Sequence, residues 1–462
     1  MMRLSEAASV LGARVEGADA RFTGVSTDTR TLKAGDLFVA LRGERYDGHR
    51  FIAQAQAAGA SSAMIDGGVR VALGTALPLL VVEDTRRALG ELASRWRSRF
   101  ALPLVALTGS SGKTTVKEML AAILRRAVNE AATHDPAHSS VLATRGNLNN
   151  DIGVPLTLLE LNPGHRYAVI EMGMNHAGEI RYLSKLAAPD VALINNAGRA
   201  HLEFLGSEEA IARAKGEIFE GLQAEGTAVI NADDRYAPLW RELAANNRQI
   251  EFGIDQPAAV SASYRAGALE SEIVVKALHG TATARLRAPG QHNVRNALAA
   301  AAAASALDVP VDAIAAGLER YAGIKGRLQV KPGVNGATLI DDTYNANPES
   351  TRAAIAVLAQ VGGRRLLVLG DLSELGPQAP RLHAELGAYA REAGIDALVT
   401  LGEHSAQAAK AFGPGARHHE CIEDLLAELE CALAPEVTVL VKGSRFMRME
   451  RVVQAFAAEG GG

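Results

Sequence analysis

A short polar loop between an apolar run and a helical pattern has the residue types of a phosphate-binding loop. The run 104–107 predicts a buried strand, a turn rich in Gly and Ser follows it, and the pattern 116–127 predicts a helix. Small residues let backbone N–H groups point at phosphate oxygens, the helix N-terminus adds its positive end, and a lysine adds a point charge. The loop consists of Thr108, Gly109, Ser110, Ser111, Gly112, Lys113, Thr114 and Thr115.

The loop departs from the common eight-residue pattern, which has a glycine where Leu107 stands, so this is a shortened form. An ordinary glycine-rich turn between a strand and a helix is the alternative. Strand, loop, Lys113, Thr114 and helix nevertheless occur in register, which favours phosphate binding. A threonine hydroxyl at this position can reach Mg²⁺.

Three further residues could act on a bound nucleotide. Glu171 ends an apolar run that predicts a buried strand, a usual position for a carboxylate that reaches Mg²⁺. His201 follows a predicted strand in a polar loop, and its imidazole could be a second ligand, although a lone histidine in a loop is usually just solvated. Lys215 lies on a helical stretch and by itself would be interpreted as a surface lysine.

Several polar clusters could bind a substrate. The group Ser26, Asp28 and Arg30, together with a loop carrying Asp47 and His49, could form a pocket for a polar ligand. A capped turn and a solvated loop are the alternative, which the pattern alone favours. A second cluster could satisfy the hydrogen bonds of a sugar or peptide, or could be an Asn-rich turn; its members are Asn147, Asn149 and Asn150.

Other candidates lie towards the C-terminus. Asn293 and Asn296 sit at a helix start, where they could cap the helix or contact an adenine edge. The segment 442–445 follows the last predicted strand and could bind a carboxylate, or could be a solvated loop. The remaining candidates near predicted strand ends are Arg327, Asp342, Asn345, Asn347, Lys442, Ser444 and Arg445, of which Asn347 also precedes Pro348 as a helix N-cap.

Alternating strand and helix patterns must position these residues. At 462 residues the chain is too long for one core, and three α/β domains are expected at 1–84, 85–322 and 323–462. The middle domain is predicted to hold a parallel sheet with an antiparallel addition at 255–288, and the last domain a second doubly wound sheet. Ligands bind at the carboxyl ends of strands in such sheets, so the polar strand ends should gather around the phosphate loop.

The composition excludes several classes of protein. Hydrophobic residues make up 48% and charged residues 22%, as in ordinary soluble proteins, and the net charge of −4 without a basic block argues against a nucleic-acid partner. The sequence has no run of about 18 apolar residues and no signal-peptide core, so a cytoplasmic protein without a membrane span is expected. Cys421 and Cys431 are expected to be reduced thiols.

These motifs together resemble the Mur ligases, ATP-dependent enzymes that form amide bonds in peptidoglycan precursors. The resemblance covers essentially the whole chain. It rests on the loop 108–115 and on Glu171, His201, Asn293, Asn296, Arg327 and Asp342, in the family's order and approximate spacing. The motifs 26–30, 146–155, 171–180, 342–348 and 369–376 look most like the branch that adds D-alanyl-D-alanine to a UDP-N-acetylmuramoyl-tripeptide.

Two features separate this chain from other branches or from the family pattern. The sister enzyme that adds diaminopimelate carries an Asp-Asn-Pro-Arg motif, whereas this chain has Asn345-Ala346-Asn347-Pro348-Glu349. Phe446 and Met447 stand where smaller residues are expected.

A sister ligase that adds a diamino acid, a folate-type polyglutamate ligase and a non-catalytic ATP-binding regulator are the alternatives. The intact Lys113 argues against the last of these.

The resemblance implies a division of labour among the domains. The first would hold the UDP end of the nucleotide substrate, the middle would hold ATP, and the last would close over both, with ATP and Mg²⁺ as cofactors and a monomer as the expected state. Thr114, Glu171, His201 and a carbamylated Lys215 would surround the metal. Asn293 and Asn296 would approach adenine, while Arg327 and Asp342 would reach ATP from the other side.

Overall fold

The computed structural model is a mixed α/β chain with three main sheets in sequence order, and it describes residues 1–43, 46–68, 76–129, 139–198, 205–267, 269–321 and 323–458. The predicted three-unit α/β architecture is confirmed. The first main sheet ends at Val82 and the second begins at Leu104. The domain limits 1–84, 85–322 and 323–462 stay predictions. No helix in the described part of the chain is long and apolar enough to cross a membrane.

The first unit is a five-stranded sheet, order β2-β7-β6-β5-β4, beside the small antiparallel pair β1 and β3. A 3₁₀ turn, Gly48–Phe51, precedes helix α2. The elements are β1 Met2–Arg3, α1 Leu4–Leu11, β2 Arg14–Glu16, β3 Arg21–Phe22, β4 Gly24–Ser26, β5 Asp36–Val39, α2 Ile52–Ala57, β6 Ser62–Asp66 and β7 Leu79–Val82.

The middle unit is a nine-stranded sheet that is parallel from β9 to β14 and antiparallel beyond. The strand order is β16-β15-β14-β13-β12-β11-β8-β10-β9. The elements are α3 Thr85–Arg97, β8 Leu104–Thr108, α4 Lys113–Ala127, β9 Val141–Ala143, α5 Gly153–Leu159, β10 Tyr167–Glu171, α6 Glu179–Ala187, β11 Val191–Ile194, α7 Glu208–Gly216, β12 Thr227–Asn231, α8 Ala237–Leu243, β13 Arg248–Gly253, β14 Val260–Ala266, β15 Ser271–Ala277, β16 Gly280–Leu286, α9 Gln291–Ala306 and α10 Val311–Arg320.

The last unit is a six-stranded sheet, order β17-β18-β22-β19-β20-β21, in which only the edge strand β17 is antiparallel to its neighbour among the described pairs. The elements are β17 Gln329–Pro332, β18 Thr338–Asp342, α11 Pro348–Ala359, β19 Arg364–Gly370, α12 Ala379–Glu392, β20 Ala397–Leu401, α13 Ser405–Phe412, β21 Ala416–His419, α14 Ile422–Ala432, β22 Val437–Lys442 and α15 Glu450–Phe456.

Two predicted helix starts have different outcomes. Asn347 is the N-cap of α11 as predicted, since its side-chain oxygen accepts the Ser350 N–H at 2.8 Å and Pro348 is the first helical residue. The cap of α9 is Gly290, so the alternative in which Asn293 or Asn296 caps this helix is wrong. Those two side chains are buried, and they hydrogen-bond to each other and, through Asn296, to Asn195.

The buried apolar clusters are distributed unevenly among the three units. One buried cluster runs from the first unit into the middle unit and includes Leu37, Leu89 and Ile194. The last unit has its own two clusters, one containing Leu367 and the other Val439. Leu269 is the one middle-unit residue among the described side chains that packs against either of them. The first two units are thus joined by packing, whereas the last unit has a core of its own.

Candidate functional site

The predicted phosphate loop joins β8 to α4 at the carboxyl edge of the middle sheet. Gly112 is the N-cap of α4 with a φ of +78°, a left-handed conformation that favours glycine. A Cβ atom at this position would also lie 2.4 Å from the Asn296 side-chain oxygen. Because backbone and space both exclude a side chain at this position, no side chain of residue 112 covers the N-terminus of α4, where an anion would bind.

Two asparagines directly after β11 brace the loop. The Ser111 N–H donates to the Asn196 Oδ1 at 2.9 Å, and the Asn196 Nδ2 donates back to the Ser111 carbonyl at 3.0 Å. The Asn195 Nδ2 donates to the same carbonyl and to the Asn296 Oδ1, both at 2.9 Å. Asn195 and Asn196 were not among the predicted site residues. Two amides that follow a buried strand of the same sheet were the signal that could have identified them.

Asn293 and Asn296 belong to the same amide network. The Asn296 Nδ2 donates to the Asn293 Oδ1 at 3.1 Å, and the Asn293 Nδ2 donates to the Pro289 carbonyl at 2.8 Å. Asn296 lies beside Gly112 of the phosphate loop, and Asn293 is hydrogen-bonded to Asn296. The structure therefore places them close to the site that they were predicted to serve.

Lys113 projects from the first turn of α4 into the loop. Its Nζ donates to the Gly109 carbonyl at 2.7 Å. Burial lowers the pKa of its ammonium group, while the nearby Glu171 raises it and Arg327 lowers it. A bound phosphate would favour the charged form of this lysine, since opposite charges stabilise each other strongly in a partly desolvated site.

Glu171 ends β10, which is paired with β8, and is opposite Leu107 in the register. Its Oε1 accepts the Asn149 Nδ2 at 2.8 Å, and its backbone N–H donates to the Thr144 Oγ1 at 2.9 Å. Its Oε2 is buried without a hydrogen-bond partner among the described residues. A buried carboxylate oxygen without a donor is costly unless a cation neutralises it. Glu171 therefore fits a metal ligand beside the phosphate loop.

The other predicted metal ligands have different outcomes. His201 lies outside the described residues, and within the described ranges no group of three or more His, Cys, Asp or Glu residues forms a metal cluster. Thr114 is buried in the first turn of α4, and its hydroxyl accepts a hydrogen bond from Arg327. A complete metal-binding set therefore remains a prediction.

Lys215 is deeply buried at the end of α7 and is only 1% exposed. The interpretation of this residue as a surface lysine, which the pattern alone gives, is therefore wrong. Burial lowers its pKa well below the ordinary range, and the nearby charge of Lys113 lowers it further. Both causes favour the neutral amine of Lys215 over its ammonium form, and a neutral amine is nucleophilic.

The last unit contacts the phosphate loop directly. The Arg327 Nη2 donates to the Thr114 Oγ1 at 3.0 Å, and the Asn347 Nδ2 donates to the Ser111 Oγ at 3.3 Å. The Arg327 guanidinium lies over the Tyr344 ring at 4.3 Å. Its Nε is buried and lacks an acceptor in the described part of the chain. Arg327 thus brings an unused donor and a positive charge from a second unit to the nucleotide loop.

Asp342 and Lys442 form a buried pair within the last unit. The Asp342 Oδ1 accepts the Leu328 N–H at 3.1 Å and its Oδ2 accepts the Lys442 Nζ at 2.5 Å. The Lys442 Nζ also donates to the Asn345 carbonyl at 3.0 Å. Its position in the sequence suggested that Lys442 could bind a substrate carboxylate. Its charge is instead neutralised by Asp342.

The remaining candidates of the last unit divide by exposure. Ser444 is fully buried, and its hydroxyl donates to the Ala346 carbonyl at 3.2 Å. Arg445 and the side chain of Asn345 are exposed. Arg445 forms a 3.4 Å ion pair with Glu450, and its guanidinium lies 5.9 Å from the Tyr344 ring. Of this group, the exposed residues are better placed than Lys442 to meet a substrate.

The polar candidates of the first unit make local contacts. The Ser26 Oγ donates to the Asp28 carbonyl at 3.0 Å, and the Arg30 side chain lowers the pKa of Asp28 to about 2 by hydrogen bonding to its carboxylate. The buried His49 ring has its Nδ1 2.6 Å from Asp47 and accepts the Asp66 N–H at Nε2. The contacts of Ser26, Asp28 and Arg30 correspond to the capped-turn alternative, whereas the buried His49 does not correspond to the solvated loop expected for the second group.

The predicted asparagine cluster is divided among three environments. Asn149 holds Glu171, as described above, while the Asn150 side chain accepts the Gly153 N–H at 2.8 Å at the start of α5. Asn147 is exposed. One of the three is therefore directed at the phosphate site, one supports a helix, and one faces solvent.

Models of protein families match most of the chain. The model described as "Mur ligase family, catalytic domain" matches residues 21–97, "Mur ligase middle domain" matches 107–304, and "Mur ligase, glutamate ligase domain" matches 326–445. A relative from Escherichia coli (strain K12), UDP-N-acetylmuramoyl-tripeptide–D-alanyl-D-alanine ligase, is 42% identical over 99% of this chain and 98% of its own length.

Solved structures with the same arrangement are also similar to this chain. MurF from Acinetobacter baumannii has a TM-score of 0.89 and is 37% identical, with 98% of each chain covered. The MurF ligase from Thermotoga maritima in complex with ADP has a TM-score of 0.82 and is 28% identical, covering 95% of this chain and 98% of the other. The likeness therefore extends over all three units.

Proposed function

The chain belongs to the Mur ligase family, and from that premise we propose that it is an ATP-dependent ligase that joins D-alanyl-D-alanine to UDP-N-acetylmuramoyl-tripeptide. The reaction is a step of peptidoglycan synthesis and cell wall biogenesis. The observation that carries the proposal is the contact of Arg327 with Thr114, because it builds one nucleotide site from two units. The relatives, which match over their full length, supply the identity of the two substrates.

The chemistry follows from the poor reactivity of a carboxylate towards an amine. Direct attack would require an oxide leaving group, so the terminal carboxylate of the tripeptide first attacks the γ-phosphate of ATP and forms an acyl phosphate and ADP. The amine of the dipeptide then attacks the acyl carbon, a tetrahedral intermediate forms, and phosphate leaves with the electrons of the broken C–O bond. The amine loses a proton as the amide forms.

The positive groups of the site offset the repulsion between two anions, the substrate carboxylate and the γ-phosphate of ATP. The N-terminus of α4 and the ammonium of Lys113 bind the phosphates, and the unused donor of Arg327 offers a further positive group. Bringing Arg327 to the loop covers the site, which keeps water away from the acyl phosphate. The reaction thus requires the middle and last units to be together.

We also propose Mg²⁺ as the cation that Glu171 meets, with Thr114, His201 and Lys215 as further members of the site. Bound Mg²⁺ would offset the negative charge of the transferred phosphoryl group. The neutral amine of Lys215 suits carbamylation, in which the amine nitrogen bonds to CO₂ and a proton is released. The resulting carbamate oxygens attract a cation, whereas an ammonium would repel it.

Replacing Asn149 by alanine tests the role of Glu171 as a metal ligand. We expect the Mg²⁺ concentration for half-maximal turnover to rise about tenfold, because Glu171 loses the donor that orients it. Asn150→Ala is the matched control, since this exposed asparagine supports α5 and does not contact Glu171. The affinity for Mn²⁺, measured from the electron paramagnetic resonance signal of the free ion, reports the same loss of metal binding without turnover. An equal metal requirement in both variants would contradict the assignment.

The proposal extends to the unit that binds the nucleotide substrate, the oligomeric state and the cellular location. We expect the first unit to hold the UDP end of the nucleotide substrate and the enzyme to act as a monomer in the cytoplasm, where ATP and nucleotide-linked precursors are made. Because cell division requires new wall, loss of the activity is expected to stop the cell cycle. Residues such as Arg30 and Asn147 are exposed and can approach the substrate from the first and middle units.

A panel of amines tests the proposed function. Phosphate release is measured with UDP-N-acetylmuramoyl-tripeptide, ATP and each amine in turn, and D-alanyl-D-alanine is expected to be the one good acceptor. Turnover with diaminopimelate on the shorter nucleotide-dipeptide would identify a sister ligase instead. Absence of turnover with every amine, in a preparation that binds ATP, would favour a non-catalytic regulator and would refute the proposal.

A further inference from the structure

The loop after β19, residues 371–376, has no role in the chemistry described above. Strands β18, β22, β19 and β20 are parallel neighbours, so the loops at their carboxyl ends share one edge of the last sheet. That edge faces the phosphate loop, because Asn347 in the loop after β18 donates to Ser111. Residues 371–376 therefore lie at the same edge of the last sheet as Asn347, and we call them the acceptor loop.

Hydrogen bonds through Ser444 join the acceptor loop to its neighbours. The Ser444 N–H donates to the Asp371 carbonyl at 3.0 Å, and the Ser373 N–H donates to the Ser444 Oγ at 2.9 Å. The same hydroxyl donates to the Ala346 carbonyl at 3.2 Å, in the loop that carries Asn347. The position of the acceptor loop is thus coupled to the segment that contacts the phosphate loop.

His383 of α12 holds the acceptor loop from behind. Its Nε2 accepts the Leu372 N–H at 3.0 Å, and its Nδ1 lies 2.7 Å from the Ala379 carbonyl. These two contacts require the neutral ring with its proton on Nδ1. The ring is fully buried, and burial lowers its pKa, which favours that neutral form. A buried side chain thus fixes the backbone of an edge loop.

The acceptor loop also holds an unusual backbone conformation. Glu374 has a φ of +60°, in the left-handed region that residues other than glycine seldom adopt. Such conformations persist where the surroundings over-determine the backbone, and they are concentrated at functional sites. The contacts of His383 and Ser444 are the surroundings that fix this loop on its amino-terminal side.

We propose that His383 is a positioning residue for the amine substrate, acting through the acceptor loop as one wall of the site where the amine meets the acyl carbon. The inference rests on the proposed function. Phosphate must leave towards the phosphate loop of the middle unit, so the amine approaches from another side. On that side, the carboxyl edge of the last sheet faces the phosphate loop. His383 fixes the backbone of the acceptor loop at this edge.

Two substitutions separate positioning from a general role in stability. Asn places its amide near the ring position of Nδ1, so His383→Asn keeps a donor for Ala379 but loses the acceptor for Leu372. Gln places its amide near Nε2, so His383→Gln can still accept the Leu372 N–H. His165→Asn is the matched control, since His165 is buried and accepts the Asn162 N–H at 3.2 Å, near the amino end of β10 and away from the phosphate loop.

The measurement is the set of KM values for D-alanyl-D-alanine, ATP and the nucleotide substrate in all variants, with thermal unfolding as a check on the fold. We expect His383→Asn to raise the KM for the dipeptide about tenfold, with the KM for ATP within about twofold, and His383→Gln to restore the dipeptide KM to within about threefold. An unchanged dipeptide KM in His383→Asn, with an active wild type, would overturn the inference alone. An inactive wild type would instead overturn the proposed function.

Discussion

Replacing Lys113 by alanine is expected to lower phosphate release by about a thousandfold while the fold persists. The γ-phosphate and the attacking carboxylate are both anions, and Lys113 is the cation that the loop itself contributes. Its Nζ already lies within the loop, 2.7 Å from the Gly109 carbonyl. The measurement is phosphate release that depends on UDP-tripeptide and dipeptide, at saturating ATP.

The control for this experiment is Lys185→Ala. Lys185 lies on α6 of the same unit, is exposed, and forms a 3.7 Å ion pair with Glu220. Its loss removes one positive charge without touching the phosphate loop, so turnover should stay within about twofold of the wild type. Full activity of Lys113→Ala, with a normal unfolding temperature, would show that the loop does not bind the reacting phosphate.

Lys215→Ala is expected to lose activity by at least about a hundredfold and to recover part of it when short carboxylates are added. The side chain is buried near Lys113, and both burial and that neighbouring charge lower its pKa, which favours the neutral amine that carbamylation needs. Truncation to alanine leaves a cavity in which the carboxylate of formate or acetate can replace the carbamate oxygens. Turnover is measured against acid concentration at constant ionic strength.

Rescue must be specific to this position to support the carbamate. Lys113→Ala should not respond to the same acids, because a carboxylate cannot replace a cation. If Lys215→Ala turns over at the wild-type rate both with and without added carboxylate, a catalytic role for this lysine is refuted. A loss of activity that no acid relieves would contradict the carbamate in particular.

Local pattern is sufficient to predict the centre of the site. The strand, the loop and the helix around Lys113 are contiguous in sequence, and each has its own signal, so β8 and α4 form where periodicity places them. The gathering of Glu171 and Asn195 around the loop follows from one general property, that the carboxyl ends of parallel strands share an edge. The family was predictable for the same reason, since its motifs lie at those strand ends, and the family models confirm it.

What depends on distant packing could not be predicted. Lys215 has the flanking residues of a surface helix, and its burial comes from the way α7 sits in the middle unit. Lys442 seemed available to a substrate because its partner Asp342 is 100 residues away, on the neighbouring strand of a sheet whose order is not sequential.

The uneven distribution of the apolar core has a consequence for the time course of catalysis. The first and middle units share one packed cluster, so they should move together as a rigid body. The last unit has its own clusters and reaches the phosphate loop through polar contacts such as Arg327 with Thr114. Polar contacts exchange readily with water, so separating the last unit costs little free energy. We therefore expect each turnover to include one opening event, whose frequency limits how fast ADP and the elongated peptide can depart.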